Sequence, residues 1–262
     1  MSLVAKSLFI SAGILICSNA IAAESTDRHL RILVAGQSIS SNCNQHRFGP
    51  EAGVFQVSKD GLEIEARDPL QWADCDGGSI WLPLGKRIIE SGMAQKVTFM
   101  SIGVGGTSVH DWRPGGRAYA KLQSAFKLIE DKKIRFDYGF WLQGSSDIGS
   151  DPIRYENALK DLVRELRQTS GARDWLIAIH SSCFGQSDNR IAQAQERLAR
   201  NALHGYFKGP DINSIEKGLR TDSCHLNKAG QEVAAGLWFK ALQDAQRTDH
   251  VTEEETLLRF FR

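Results

Sequence analysis

Four short apolar runs, residues 30–35, 97–102, 138–142 and 175–179, constrain this chain more than any other feature. Each is nearly continuous in apolar or β-favouring residues, the pattern of strands covered on both faces. Helical periodicity fills the stretches between and after them. In 151–168, Asp151 can cap, Pro152 suits the first turn, and Tyr155, Leu159, Leu162 and Leu166 line one face, with Gly171 just beyond the end. Residues 119–129 repeat the pattern with Leu122, Ala125, Phe126 and Ile129, as do 191–203, and 227–245 follow with Val233, Leu237 and Ala241 inward. Strands alternating with helices predict parallel strands joined by right-handed crossovers: a three-layer α/β/α sandwich around a central parallel sheet.

Residues 54–66 depart from the alternation, because Lys59, Asp60 and Gly61 read as a hairpin turn; they are expected to form an excursion between the first two core strands. No internal repeat or low-complexity linker interrupts 30–246. The expectation is one domain over 23–262, ending in a tail at 247–262 whose Val251, Leu257, Leu258, Phe260 and Phe261 form a short helix able to dock on the body or a partner.

Residues 1–22 have the layout of a cleaved secretory signal peptide, with Lys6, an apolar run from Ser7 to Cys17 and the small residues Ala20 and Ala22. The run is shorter than the ~18 to 20 residues a bilayer core needs, so a membrane anchor is disfavoured. Cleavage implies a periplasmic or secreted protein. It leaves Cys43, Cys75, Cys183 and Cys224, an even number in an oxidising compartment. Of three connectivities, Cys43 with Cys75 and Cys183 with Cys224 is favoured, since each pair lies on loops that this fold brings together. No C-x-x-C or H-E-x-x-H spacing occurs, so no metal site is expected. With 32 Lys and Arg against 31 Asp and Glu, there is no field to gather nucleic acid or an anionic membrane.

Ligands of an open α/β sheet bind beyond the carboxyl ends of its strands. The loops there carry Gly36-Gln37-Ser38, Gly103-Val104-Gly105-Gly106-Thr107-Ser108, Gln143-Gly144-Ser145-Ser146-Asp147 and His180-Ser181-Ser182-Cys183, and Asp222-Ser223-Cys224-His225 precedes the last long helix. A serine hydroxyl attacks an ester only when an imidazole takes its proton, and a carboxylate fixes that imidazole's tautomer. Ser38, His225 and Asp222 can fill these roles, with the Ser38 and Gly106 N–H groups and the Gln143 amide as oxyanion donors. Taken singly, Ser38 reads as a helix cap, Asp222 as a turn cap and His225 as a core histidine; their order along the fold favours catalysis. The glycine run lacks the third glycine of a dinucleotide fingerprint and the lysine of a P-loop. His180 ends a strand at this edge and is left outside the catalytic set. His46, His110, Asp111, Trp112 and Arg113 are expected to rim the pocket, with Trp112 and Asp111 as the substrate-binding candidates.

These blocks resemble the SGNH (GDSL-like) hydrolases, and within them the branch of sialate O-acetylesterase-like and plant-polysaccharide acetylesterases. Gly36-Gln37-Ser38 is similar to its nucleophile motif, and Gly105-Gly106-Thr107-Ser108 with Asp111 and Trp112 to its G-G-T-S-x-x-x-W. Trp141-Leu142-Gln143-Gly144 is similar to W-x-Q-G-E-S-D, and Asp222-Ser223-Cys224-His225-Leu226 to the D-x-x-H-L before the last helix, with Gly230 placed alike. The resemblance covers roughly 31–243 and implies the flavodoxin-like SGNH fold. It implies Ser38 as nucleophile, His225 as base, Asp222 as its partner, Gly106 as oxyanion donor, and Gln143 in place of another branch's asparagine. Ile39-Ser40 stands where the branch has Asn-Met, and Ser145 where it has glutamate. Ser146 is the alternative third donor to Gln143, and Gly105 the alternative to Gly106 if the loop is shifted by one.

The expected activity is removal of small acyl groups, acetyl by resemblance, from a carbohydrate ester, with no cofactor. The alternatives are a lipid or thioester hydrolase or acyltransferase on this scaffold, and a carbohydrate-binding module without catalysis.

Overall fold

The computed structural model describes residues 28–260, with side chains as far as Thr248. The expected signal peptide and the apolar side chains of the tail lie outside the described residues. Chain order is β1 (His29–Gly36), β2 (Val54–Val57), β3 (Glu63–Glu65), α1 (Trp81–Glu90), β4 (Lys96–Ser101), α2 (Tyr119–Asp131), β5 (Tyr138–Leu142), α3 (Pro152–Ser170), β6 (Asp174–Ile179), β7 (Ser182–Cys183), β8 (Gln186–Ser187), α4 (Asn189–Ala199), β9 (Tyr206–Asp211) and α5 (Lys228–Phe260).

Seven strands form one sheet in the order β3-β2-β4-β1-β5-β6-β9, parallel except for β3. Central β1 pairs with β4, Ile32 opposite Phe99, and with β5, Val34 opposite Phe140. Successive side chains on a strand point to opposite faces, so each apolar run feeds two cores. Ile32, Val34, Phe99 and Phe140 join Trp81 of α1 and Trp238 of α5 on one face; Leu33, Ala35, Trp141 and Ile177 join α2, α3 and α4 on the other. This is the α/β/α sandwich, and its loops leave the carboxyl ends of β1, β4 and β5 side by side.

The helix signals act locally. The Asp151 carboxylate accepts from Ile153 N and Arg154 N at 2.9 Å each, Pro152 opens α3, and Gly171 closes it. On the other face Trp238 stacks on Phe140 at 4.4 Å and meets Trp81 edge-on at 5.6 Å. That cluster anchors α5, which starts three residues after His225 and so fixes the loop before it.

The structure corrects several expectations. Residues 54–66 do form a hairpin, but β2 pairs in parallel with β4, Val54 opposite Val97, so the hairpin extends the sheet rather than leaving it. Strand β9 was not anticipated because Lys208, Gly209 and Pro210 break its apolar run; an edge strand tolerates proline. Helix α1 was hidden by Pro83 and Gly85 inside it. The helix expected over 191–203 spans Asn189–Ala199, leaving Leu203 on the surface. On α5 the inward face is Ala234, Ala235, Trp238, Ala241, Leu242 and Ala245, while Val233 is exposed and Leu237 half-buried. The backbone of 247–260 continues α5 rather than starting a separate helix.

Candidate active site

Gly36 ends β1 with φ +147°, and a Cβ there would meet Leu142 O at 2.1 Å, so glycine alone allows the bend into Gln37 and Ser38 beside β5. The Gln37 side chain is buried and bridges two loops: Nε2 donates to Ser145 Oγ at 2.7 Å, and Oε1 accepts from Gly144 N at 3.0 Å. Ser145, standing where the related branch has glutamate, is therefore the acceptor that braces the third loop. Behind the serine, Ser40 Oγ donates to Gln37 O at 2.7 Å, and Ser40 O accepts from Ser101 Oγ and Trp81 Nε1 at 2.6 and 2.9 Å. Ile39-Ser40 thus gives a turn locked to β4 and α1.

Ser38 lines a cavity of about 550 Å³ together with His225, Gly106, Ser146, Phe184 and Gln186. The two ends of the chain's chemistry meet there, although Ser38 and His225 form no mutual hydrogen bond, a common state for a site without substrate. His225 Nδ1 lies 2.7 Å from Asp222 Oδ2, while Nε2 is buried and without a partner among the described residues. The same carboxylate's Oδ1 accepts from His225 N at 2.7 Å and Cys224 N at 3.1 Å, which folds the loop on itself. Burial alone would raise the Asp222 carboxyl, but the His225 ring and these N–H donors outweigh it and hold it below the usual carboxylate range. The charged carboxylate keeps a proton on Nδ1 and the lone pair on Nε2.

Two disulfides frame the cavity, Cys43–Cys75 and Cys183–Cys224, the second joining β7 to the residue before His225. Among the described residues no group of three or more His, Cys, Asp or Glu is placed to hold a metal ion.

The loop from Gly103 to Gly106 is held from outside. Asp74 Oδ2 accepts Gly105 N at 2.8 Å, Lys121 Nζ and Ser41 Oγ donate to Gly103 O at 2.8 and 2.6 Å, and Arg117 donates to Gly106 O. The Gly105 N–H is thus engaged, whereas the Gly106 and Ser38 N–H groups find no acceptor among the described residues. Gly106 has φ +65°, a conformation that glycine takes without strain.

Three site expectations need correcting. Gln143 does not reach the cavity: it is fully buried, and its Nε2 donates to Thr107 O at 2.9 Å and Asp147 Oδ2 at 2.5 Å. Trp112 is a core residue, 1% exposed and edge-on to Trp141 at 5.7 Å, because the short helical turn that carries it points inward. Asp111 caps that same turn, accepting from Ser108 N and Oγ at 2.8 and 2.9 Å, and pairs with Arg117. His46, His110 and Arg113 do not line the cavity either. His180 is fully buried, and neither ring nitrogen has a partner among the described residues.

Three residues escaped the sequence reading. Gln37 stood inside the nucleophile motif and could have been weighed. Arg220, two positions before Asp222, donates to the carbonyls of Cys224, Ile212 and Ile215 at 2.5, 2.6 and 3.2 Å and so clamps the histidine loop. Phe184, at a hairpin tip, carried no signal because its Phe-Gly turn lacks the usual Asn-Gly or Asp-Gly.

A comparison with curated proteins finds no match. Among solved structures the fold resembles a protein from Arabidopsis thaliana (TM-score 0.64, 16% identity, covering 82% of this chain and 98% of that one). It also resembles a carbohydrate acetylesterase from Xanthomonas citri (0.57, 12%, covering 82% and 56%) and an acetylxylan esterase from Geobacillus stearothermophilus (0.53, 12%, covering 81% and 93%). At such identities these likenesses show the fold, an α/β/α sandwich around a mostly parallel sheet. The family model for carbohydrate esterases described as sialic acid-specific acetylesterase matches residues 34–244, which include Ser38, Gly106, Asp222 and His225, and the chain therefore belongs to that family of ester hydrolases.

Proposed function

We propose that the protein is an exported serine esterase that removes acetyl groups from a carbohydrate through an acyl-serine intermediate. The observation carrying this reading is the convergence of Ser38 and His225 on one cavity, with Asp222 on Nδ1 of the ring and Nε2 left free. Ser38 Oγ attacks the ester carbonyl while Nε2 takes its proton, and the negative oxygen is met by the N–H groups of Ser38 and Gly106. Collapse breaks the bond to the alcohol, which leaves with the proton from Nε2. Water then enters, gives its proton to the same nitrogen, attacks the acyl-serine carbonyl and releases acetate and the free hydroxyl. Ser38, His225 and Asp222 act as nucleophile, base and ring partner, and no other group is needed for the proton balance.

Export is supported by the two disulfides, which persist in oxidising compartments, and by the leader-like residues 1–22. No helix among the described residues is long and apolar enough to cross a membrane. We take residues 23–262 as one catalytic domain.

The test is turnover of acetyl, butyryl and octanoyl esters by the purified protein and its Ser38→Ala variant. Acetyl preference with loss of turnover in the variant is expected. Preference for long chains would indicate a lipid hydrolase, no turnover of any ester a binding module, and Ser38→Ala activity near wild type would overturn the mechanism.

A further inference from the structure

Phe184 is the feature that the fold leaves unexplained. It stands at the tip of the β7–β8 hairpin with φ +49°, followed by Gly185 at +78°, and a bulky residue in that region is strained. Its side chain is 63% exposed, so core packing does not compensate the strain. The ring nevertheless lines the catalytic cavity and meets the His225 imidazole edge-on at 6.0 Å. Cys183, which precedes it, is bonded to Cys224, which precedes His225, so one cystine fixes both rings relative to each other. From the facing strand of the hairpin, Gln186 brings an uncharged amide to the same cavity.

An ester has two ends, and the site separates them. The carbonyl oxygen is drawn to the Ser38 and Gly106 N–H groups, while the leaving oxygen must take its proton from His225 Nε2. A ring that packs on His225 therefore lies on the alcohol side, not the acyl side. No Asp, Glu, Lys or Arg is among the described residues lining the cavity. The neighbouring Arg117 guanidinium is engaged by Gly106 O and Asp111. An anionic sugar would find no cation at this end, whereas a pyranose offers a C–H face to an aromatic ring and hydroxyls to an amide.

We propose that Phe184, with Gln186, forms a subsite for the leaving alcohol that selects an uncharged acetylated pyranoside, Phe184 stacking on its C–H face. The inference rests on the esterase reading above and specifies the substrate of that same site.

The experiment measures kcat/KM of wild type, Phe184→Ala and Phe184→Trp on three acetyl esters: ethyl acetate, an O-acetylated neutral methyl hexoside and an O-acetylated sialic acid. Wild type should favour the neutral hexoside. Phe184→Ala should lose about tenfold on it, ~1.4 kcal/mol, chiefly through KM, with a clearly smaller loss on ethyl acetate and Phe184→Trp restoring most of the hexoside loss. Equal loss on ethyl acetate and hexoside, or none on the hexoside, would overturn the platform; a wild-type preference for the sialic acid would overturn the uncharged selectivity. Failure of wild type on all three esters would instead refute the esterase reading. Phe184 is exposed, so the variant's melting temperature should match wild type and separate recognition from folding.

Discussion

At the residue scale, the proposed oxyanion donors are main-chain N–H groups, so substitutions act on them only through backbone conformation. A Cβ at Gly106 would meet nothing nearer than Arg117 at 4.0 Å, yet φ +65° disfavours any other residue. Gly106→Ala is therefore expected to lower kcat by up to ~10²-fold with little change in KM, as steady-state kinetics would show. Gln143→Leu should behave differently. It leaves Thr107 O without its buried donor and Asp147 Oδ2 with only Val109 N, so the expected effect is a stability loss of ~1 to 3 kcal/mol in denaturant melts. His180 supplies a pH signature. Burial, with smaller contributions from Arg220 and His225, pushes its imidazole down to about 3. The unfolded chain binds this proton near 6.5 and the folded chain only near 3, so stability is complete above that window and falls as pH drops through it. His180→Leu should flatten the decline of melting temperature between pH 6.5 and 4; an unchanged slope would refute the assignment.

At the element scale, the histidine loop depends on a hairpin, a cystine and a helix. Cys183–Cys224 spans 41 residues, and its removal in a Cys183→Ala/Cys224→Ala variant is expected to cost ~2 to 4 kcal/mol. Activity should fall as well, because the loop loses its one covalent tie to the β7–β8 hairpin and keeps only hydrogen bonds such as those of Asp222 and Arg220; scanning calorimetry and kinetics on the same sample would separate the two effects. Trp238→Ala, outside the cavity lining, should cost ~3 to 5 kcal/mol in denaturant melts. Legibility in the sequence followed the same division. Four strands and four helices were readable because their periodicity runs unbroken for several residues, as on Tyr155, Leu159, Leu162 and Leu166. Strand β9 and helix α1 were not, since proline and glycine interrupt them and only sheet pairing and packing restore the order. Val233 was placed inward because a valine at the right period outweighed small Ala234 and Ala235, which in fact let α5 approach the sheet.

At the scale of the whole molecule, the site unites a serine just after the first strand with a histidine just before the last helix. The residue types were legible because each block is local, but side-chain direction was not: Trp112 and Gln143 occupy motif positions, and only the three-dimensional packing turns both away from the cavity. Acid sensitivity also sums over the fold. Asp222 adds a second loss that begins at the acid end of the His180 window: its carboxyl is held below the usual range, so the stability it contributes is present above that range and disappears as pH falls through its folded value.

The most direct measurement of the central claim is site mapping by mass spectrometry after treatment with a serine-directed fluorophosphonate, on wild type and His225→Ala. The adduct should fall on Ser38 in wild type and form far more slowly in the variant if, as proposed, that imidazole activates the hydroxyl. Labelling of Ser38 at equal rates in both proteins, or an adduct on another serine, would contradict the account.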